Sequence, residues 1–269
     1  MAVKSIGFYG FGKLAKTLYL GFKDFLITES ISLLIHTRSN LTAPFDQLSL
    51  VSNKTLLADC DVIILAVKPQ QLAEVMPSLK QINWQDKCLV SLLAGVPLSH
   101  YSQSLDGLQH AFRIMPNTAA QFKQSTSTYA ILATTAPSYQ TCIQSLFSCI
   151  GLMENVTESQ LDLCTALYGS GPAFFYKLFT SMIELAEQEG ISRSQARLLI
   201  NQLIQGLATS LNQRSEDLDL LINEICSPKG TTEAGLTLFS DQNLSQQWKN
   251  VFLKAKDRSI ALSKEFKSV

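Results

Sequence analysis

The sequence predicts an α/β fold in which a doubly wound, mainly parallel sheet is followed by a second, all-helical domain. Three observations carry the prediction. From residue 3 to about 156, short apolar or β-branched runs alternate with helical stretches. A glycine-rich turn separates the first run from the first helix. Beyond about residue 158 the strand signal stops and apolar residues recur at three- and four-residue spacing. The expected domains are therefore 1–158 and 159–269.

The strand candidates, in order, are VKSIGFYG, SLLIH, DVIILAV, CLVSLL, HAFRIM, TYAILA and GLMENV. DVIILAV and CLVSLL are almost continuously apolar, as strands covered by helices on both faces must be. In the second half a long helix is expected over Pro172–Glu189, because proline suits a first helical turn and Gly190 follows the last periodic residue. A further helix follows, with Ser192 as its N-cap. The first of these helices carries Phe174, Leu178, Ser181, Met182 and Leu185 on one stripe, widened by Phe175, Phe179 and Ile183. Such a helix needs cover on more than one side, supplied either within one subunit or between two.

Composition narrows the function. The 269 residues are 46% hydrophobic and 16% charged, which favours packed cores over solvated tails. Lys and Arg number 22, as do Asp and Glu, so no net field gathers nucleic acid or an anionic membrane, and a small molecule is the expected partner. The start of the chain lacks the pattern of a secretory leader, which makes a cytoplasmic location the expectation. Cysteines at 60, 88, 142, 149, 164 and 226 form no CxxC pair, and His36, His100 and His110 are isolated. The thiols read as buried, the histidines as surface or satisfied core, and no metal is implied.

The turn after the first strand reads Gly10-Phe11-Gly12-Lys13-Leu14-Ala15, a G-x-G-x-x-A pattern between strand and helix. That is the Rossmann-like dinucleotide fingerprint in its required context. Gly10 permits the tight turn, Gly12 lets backbone approach the pyrophosphate, and Ala15 allows close helix packing. Gly10, Gly12, Lys13 and Leu14 are the expected cofactor contacts. At the end of SLLIH no acid waits for ribose hydroxyls. Thr37-Arg38-Ser39-Asn40 stands there instead, and Arg38 suits the 2′-phosphate of NADP, with NAD as the alternative.

GFYGFGKLA, DVIILAVKPQ, SLLAGV, RIMPNTAA, YGSGPAFF and SPKGTT occur in this order along essentially the whole chain. Together they resemble the pyrroline-5-carboxylate reductase family. The resemblance implies NADPH-dependent reduction of a cyclic imine to proline, the last step of proline biosynthesis. It also implies a helical dimerisation domain and a homodimer, or a higher ring of dimers, in which the substrate loop comes from the partner subunit. By the same carry-over Asn53 lies on the adenosine side of the cofactor, Ala66, Val67, Lys68 and Pro69 at a strand end beside it, and Asn117 near the nicotinamide. Ser227, Gly230, Thr231 and Thr232 form the cradle for the substrate carboxylate, and Thr232 is the candidate catalytic residue, hydrogen bonding the ring nitrogen or relaying its proton. Read without the resemblance, Thr231 or Thr232 ahead of Glu233 is an ordinary N-cap box.

Three positions depart from the family pattern. Lys13 replaces an asparagine, Ala119 a proline and Lys229 a glycine. If that glycine has positive φ, lysine costs about 1–2 kcal/mol there, whereas its ammonium would favour a carboxylate. Two rival readings are a β-hydroxyacid dehydrogenase and a regulatory paralogue that binds NADP without turning over. The first requires a lysine and an asparagine where this chain has Phe175 and Phe179.

Overall fold

The computed structural model describes residues 3–265; residues 1–2 and 266–269, which the domain bounds above include, lie outside the described residues. Strand β1 (Ser5–Tyr9) leads to helix α1 (Lys13–Thr28), and β2 (Ser32–His36) to α2 (Asn53–Asp59). Next come β3 (Val62–Leu65), α3 (Leu72–Leu79), β4 (Cys88–Ser91), α4 (Leu98–Ser104), β5 (His110–Met115), β6 (Ser125–Ile131), α5 (Pro137–Ser148) and β7 (Gly151–Asn155). The remaining elements are helical: α6 (Leu161–Cys164), a π-helical stretch over Thr165–Ser170, α7 (Gly171–Gln188), α8 (Arg193–Gln213), α9 (Leu218–Ile225), α10 (Thr231–Asp241) and α11 (Leu244–Glu265).

The strands form one seven-stranded sheet in the order β2-β1-β3-β4-β5-β6-β7. Its pairs are parallel except β5 with β6, where Phe112 faces Ile131 and Met115 faces Thr128. The exception has a simple cause. Only residues 116–124 join β5 to β6, and a parallel return needs about a dozen residues or more. Each face of the sheet carries its own core. One gathers Phe8, Phe22, Val90, Phe112 and Phe147, the other Leu57, Ile63, Leu89, Trp84 and Tyr101.

All seven strands expected from the sequence are present, with shifted edges. Strand β6 begins at Ser125 rather than Thr128, because Ser125 and Ser127 are buried polar residues that hydropathy does not flag. Ser125 Oγ accepts from the Asn117 N–H (3.1 Å) and lies 3.2 Å from Ser127 Oγ, which satisfies it inside. Helix α7 starts at Gly171, one residue before the expected Pro172, and continues from the π-helical stretch. Ser192 caps α8 as expected, its hydroxyl accepting from Gln195 N–H at 3.3 Å.

By packing, the chain divides into two compact units. The described residues up to 170 and those from 253 onward make one; residues 171–252 make the other. In the first unit, Arg113 is 3% exposed at its side chain and pairs with Asp162 Oδ1 at 2.7 Å, with Glu158 at 3.9 Å. Ser259 Oγ donates to the same Asp162 oxygen at 2.8 Å. This buried cluster ties β5 to α6 and to the end of α11.

The six cysteines are unpaired; Cys60, Cys88 and Cys164 are buried and the other three half-buried. Burial pushes the Cys60 thiol up to about 12, and Cys142 and Cys149 to about 11, so these groups are inert packing residues. No group of three or more potential metal ligands occurs among the described residues.

Candidate functional site

Loops after β1, β2 and β3 converge on a cleft of about 500 Å³ at the C-terminal edge of the sheet. The chain passes from β1 to β2 on one side and then to β3 on the other, so the cleft opens at the point where strand order reverses. Doubly wound sheets bind ligands at such a point. Gly10 holds φ +94°, and a Cβ there would lie 2.8 Å from Val67 Cγ1 and 2.9 Å from the Ala66 carbonyl group. A side chain has no room and the wrong backbone. The Gly10 N–H donates to His36 O at 2.8 Å, which locks the turn against β2.

Gly12 caps α1 in extended conformation, and nothing lies within 4 Å of where its Cβ would stand. The helix N-terminus is thus open to an approaching group, and its free N–H groups and partial positive charge suit an anion. Open backbone at Gly12 beside the closed turn at Gly10 fits a dinucleotide pyrophosphate.

Of the sequence-predicted cofactor residues, the cleft brings together Gly10, Gly12, Arg38, Asn53, Ala66, Val67 and Lys68. Asn53 is fixed by donating from Nδ2 to Ser78 Oγ at 3.2 Å. Lys13 and Leu14 open α1, and Pro69 starts a short 3-10 turn over residues 69–71; none of the three lines the cleft. Asn117 also lies outside it. Its Oδ1 accepts from Ala119 N–H (3.0 Å) and its Nδ2 donates to Tyr168 O (3.2 Å), which holds the turn after β5.

Sequence reasoning missed several lining residues: Tyr9, His36, Gln71, Glu74, Val75 and Ser78. His36, taken as an isolated histidine, ends β2 in the cleft, with its ring 5.0 Å from that of Tyr9 and Nδ1 3.2 Å from Val51 O. Its place at the end of a strand was the available signal. Glu74, in the first turn of α3, offered none; it forms an ion pair with Arg38 at 2.5 Å.

The residues expected to hold substrate lie in the second unit, in the turn between α9 and α10 and at the start of α10. Gly230, not a threonine, is the N-cap of α10, and no side chain caps it. Thr231 and Thr232 are the first two helical residues, Thr231 exposed and Thr232 half-buried. A Cβ on Gly230 would meet Ser227 Oγ at 2.4 Å, and the Gly230 N–H donates to Ser227 O at 3.0 Å. Glycine is required there by close approach. Glu233 reaches back past the cap to accept the Lys229 N–H at 2.6 Å, which departs from the N-cap box because the partner is one residue earlier than the cap. Lys229 itself adopts φ +59°, the left-handed region that favours glycine.

At the start of α7, Phe175 packs on Phe179 and Trp248 with ring centroids 6.2 Å and 5.5 Å apart. These are aromatic packing positions and supply no acid or base for a hydroxyacid oxidation.

Fold and cleft together define a dinucleotide-binding enzyme of the doubly wound class with a helical second part. Residues 5–95 match the family described as NADP oxidoreductase, coenzyme F420-dependent, and residues 158–262 match pyrroline-5-carboxylate reductase dimerisation. The chain is 32% identical to the pyrroline-5-carboxylate reductase of Methanosarcina acetivorans, over 98% of this chain and 100% of that one. It belongs to the pyrroline-5-carboxylate reductase family. Among solved structures, the Streptococcus pyogenes 1-pyrroline-5-carboxylate reductase superposes with a TM-score of 0.86 at 28% identity, covering 96% of this chain and 98% of that one. The Plasmodium falciparum pyrroline carboxylate reductase, solved with NADP bound, shares the fold at a TM-score of 0.88 and 24% identity, over 97% and 98% of the two chains.

Proposed function

We propose that this chain binds NADPH in the cleft of its first unit and reduces the C=N bond of pyrroline-5-carboxylate, giving proline. The observation that carries the reading is the cleft itself: a closed glycine turn, an open helix N-terminus and Arg38 around one space at the sheet switch point. Full-length membership of the family supplies the substrate class. Gly10 and Gly12 hold the pyrophosphate, with Lys13 and Leu14 contributing the first turn of the helix behind it. Asn53 borders the adenosine, Ala66, Val67, Lys68 and Pro69 form the wall beside it, and the turn held by Asn117 borders the nicotinamide end. Arg38 favours the 2′-phosphate, which makes NADPH the preferred donor and NADH the weaker one.

When bound, the cofactor supplies the hydride that the imine carbon accepts. A protonated imine is already a strong electrophile, so the protein's contribution is position, worth up to about 7–11 kcal/mol of the barrier for well-oriented reactants. Ser227, Gly230, Thr231 and Thr232 hold the substrate carboxylate with backbone N–H groups and hydroxyls. Thr232 hydrogen bonds the ring nitrogen and shares its proton with a bound water, since a neutral hydroxyl alone is a weak acid.

The functional division runs 1–158 for the cofactor and 159–269 for dimerisation and substrate, close to the matched dimerisation span. A homodimer, or a ring of dimers, brings the turn of one subunit to the cofactor of its partner. Apolar residues left exposed along α7 and α8, among them Leu185, Leu203 and Leu207, support that assembly. No described helix is long and apolar enough to cross a membrane. Six unpaired thiols accord with a reducing, cytoplasmic location.

The test follows nicotinamide absorbance with the purified protein, NADPH or NADH, and either pyrroline-5-carboxylate or a six-membered cyclic imino acid. NADPH should be oxidised in step with proline formation, fastest with the five-membered ring. NADP binding without oxidation over both imines would sink the reading.

A further inference from the structure

Glu74 is an unexpected occupant of a cleft meant for an anionic cofactor. Its carboxylate sits 2.5 Å from Arg38 Nη1, and both side chains are more than half exposed and line the same space as Thr37, Ser39, Asn53 and Ser78. Among the described residues Arg38 is the only arginine lining that cleft, and the other cation there is Lys68, at the strand β3 side. The two partners come from separate elements, Arg38 from the loop after β2 and Glu74 from the first turn of α3.

We propose that Glu74 is a specificity-determining residue: it holds Arg38 in a pair that a cofactor 2′-phosphate must displace, and so narrows the preference of this chain for NADPH over NADH. The inference rests on the reading of the cleft as an NADP site. An exposed ion pair is weak and screened, so it yields to a dianionic phosphate rather than closing the site. Once displaced, the carboxylate remains near the phosphate and opposes it by like charge. NADH carries no phosphate at that position and leaves the pair intact. Its binding is therefore insensitive to Glu74. The chain gains a rest position for Arg38 and gives up part of its discrimination.

The test measures binding of NADP⁺ and NAD⁺ to the intact protein by calorimetry, comparing wild type with Glu74→Gln at low and high salt. The glutamine keeps size and hydrogen-bonding capacity while removing the charge. NADP⁺ affinity should rise about threefold to tenfold in the variant, with the gain shrinking at high salt, as expected for removal of one surface charge. NAD⁺ affinity should stay within about twofold, the scale of an uninvolved surface change. Equal changes for both cofactors would show a general effect on the cleft and overturn the proposal. Weaker NADP⁺ binding would mean that Glu74 orients Arg38 for the phosphate, and selectively weaker NAD⁺ binding that it holds ribose hydroxyls; either overturns it. Unchanged binding of both overturns it too, leaving the cofactor assignment standing. Failure of the wild type to bind NADP⁺ would remove the assignment together with the proposal.

Discussion

The two units of this chain treat apolar surface in opposite ways. The sheet unit is closed: helices cover both faces, Trp84, Phe112 and Phe147 are fully buried, and the Trp84 indole N–H donates to Leu79 O at 2.8 Å. The helical unit is open. On α7 only Gly171 is buried and on α8 only Ala196 and Ile200, while Leu198, Leu199, Leu203, Leu207 and Leu211 stand at least half exposed. One unit completes its core within a single chain, and the other has the composition of a core without the cover. The difference teaches that apolar content alone does not define a self-sufficient domain; it must have an opposing face to meet.

The largest loss of stability is expected inside the closed unit. Among the described residues, Asp162→Ala leaves the buried Arg113 guanidinium with the Glu158 carboxylate at 3.9 Å as its one remaining ion-pair partner, and should cost about 2–4 kcal/mol of stability in urea unfolding. A loss under 1 kcal/mol would mean that solvent already reaches Arg113.

Charge on the open unit should act on assembly instead. Leu203→Glu with Leu207→Glu places two carboxylates on one exposed face of α8, where the single chain tolerates them within about 0.5 kcal/mol each. Light scattering should show monomers, from a loss of about 2 kcal/mol or more in association, with NADP affinity retained. An unchanged mass would place the interface elsewhere.

Thr232→Ala tests whether the first turn of α10 takes part in chemistry. Turnover should fall about tenfold to a hundredfold, a modest share of what acid catalysis can supply, with NADP affinity intact. Unaltered turnover removes Thr232 from the mechanism.

The smallest effect is expected at Lys229, where φ +59° is easy for glycine and strained for lysine. Lys229→Gly should raise stability by about 1 kcal/mol, read as a higher melting temperature. A lower temperature would mean that the lysine side chain contributes more than its backbone costs.

Much of this architecture was legible because it rests on local rules. Alternating apolar runs marked every strand, G-x-G-x-x-A between strand and helix marked the turn at Gly10, and Ser192 announced the start of α8. The serines of β6 were not legible, since their burial depends on partners such as the Asn117 backbone. Nor was the pairing of Glu74 with Arg38, which arises only when α3 meets the loop after β2. Asn117 shows the reverse. Its motif suggested a ligand-facing amide, and the structure adds bonds to distant Tyr168 and nearby Ala119 that no motif announced.

By itself, then, the order of residues determined the strand and helix inventory, the glycine turn and the family, because hydrophobic period and backbone sterics act over a few neighbours. Tertiary structure alone decided which side chains share the cleft and which helices keep their apolar faces uncovered. Those outcomes depend on contacts between residues far apart in the chain, and no local pattern encodes the neighbour that a side chain will meet.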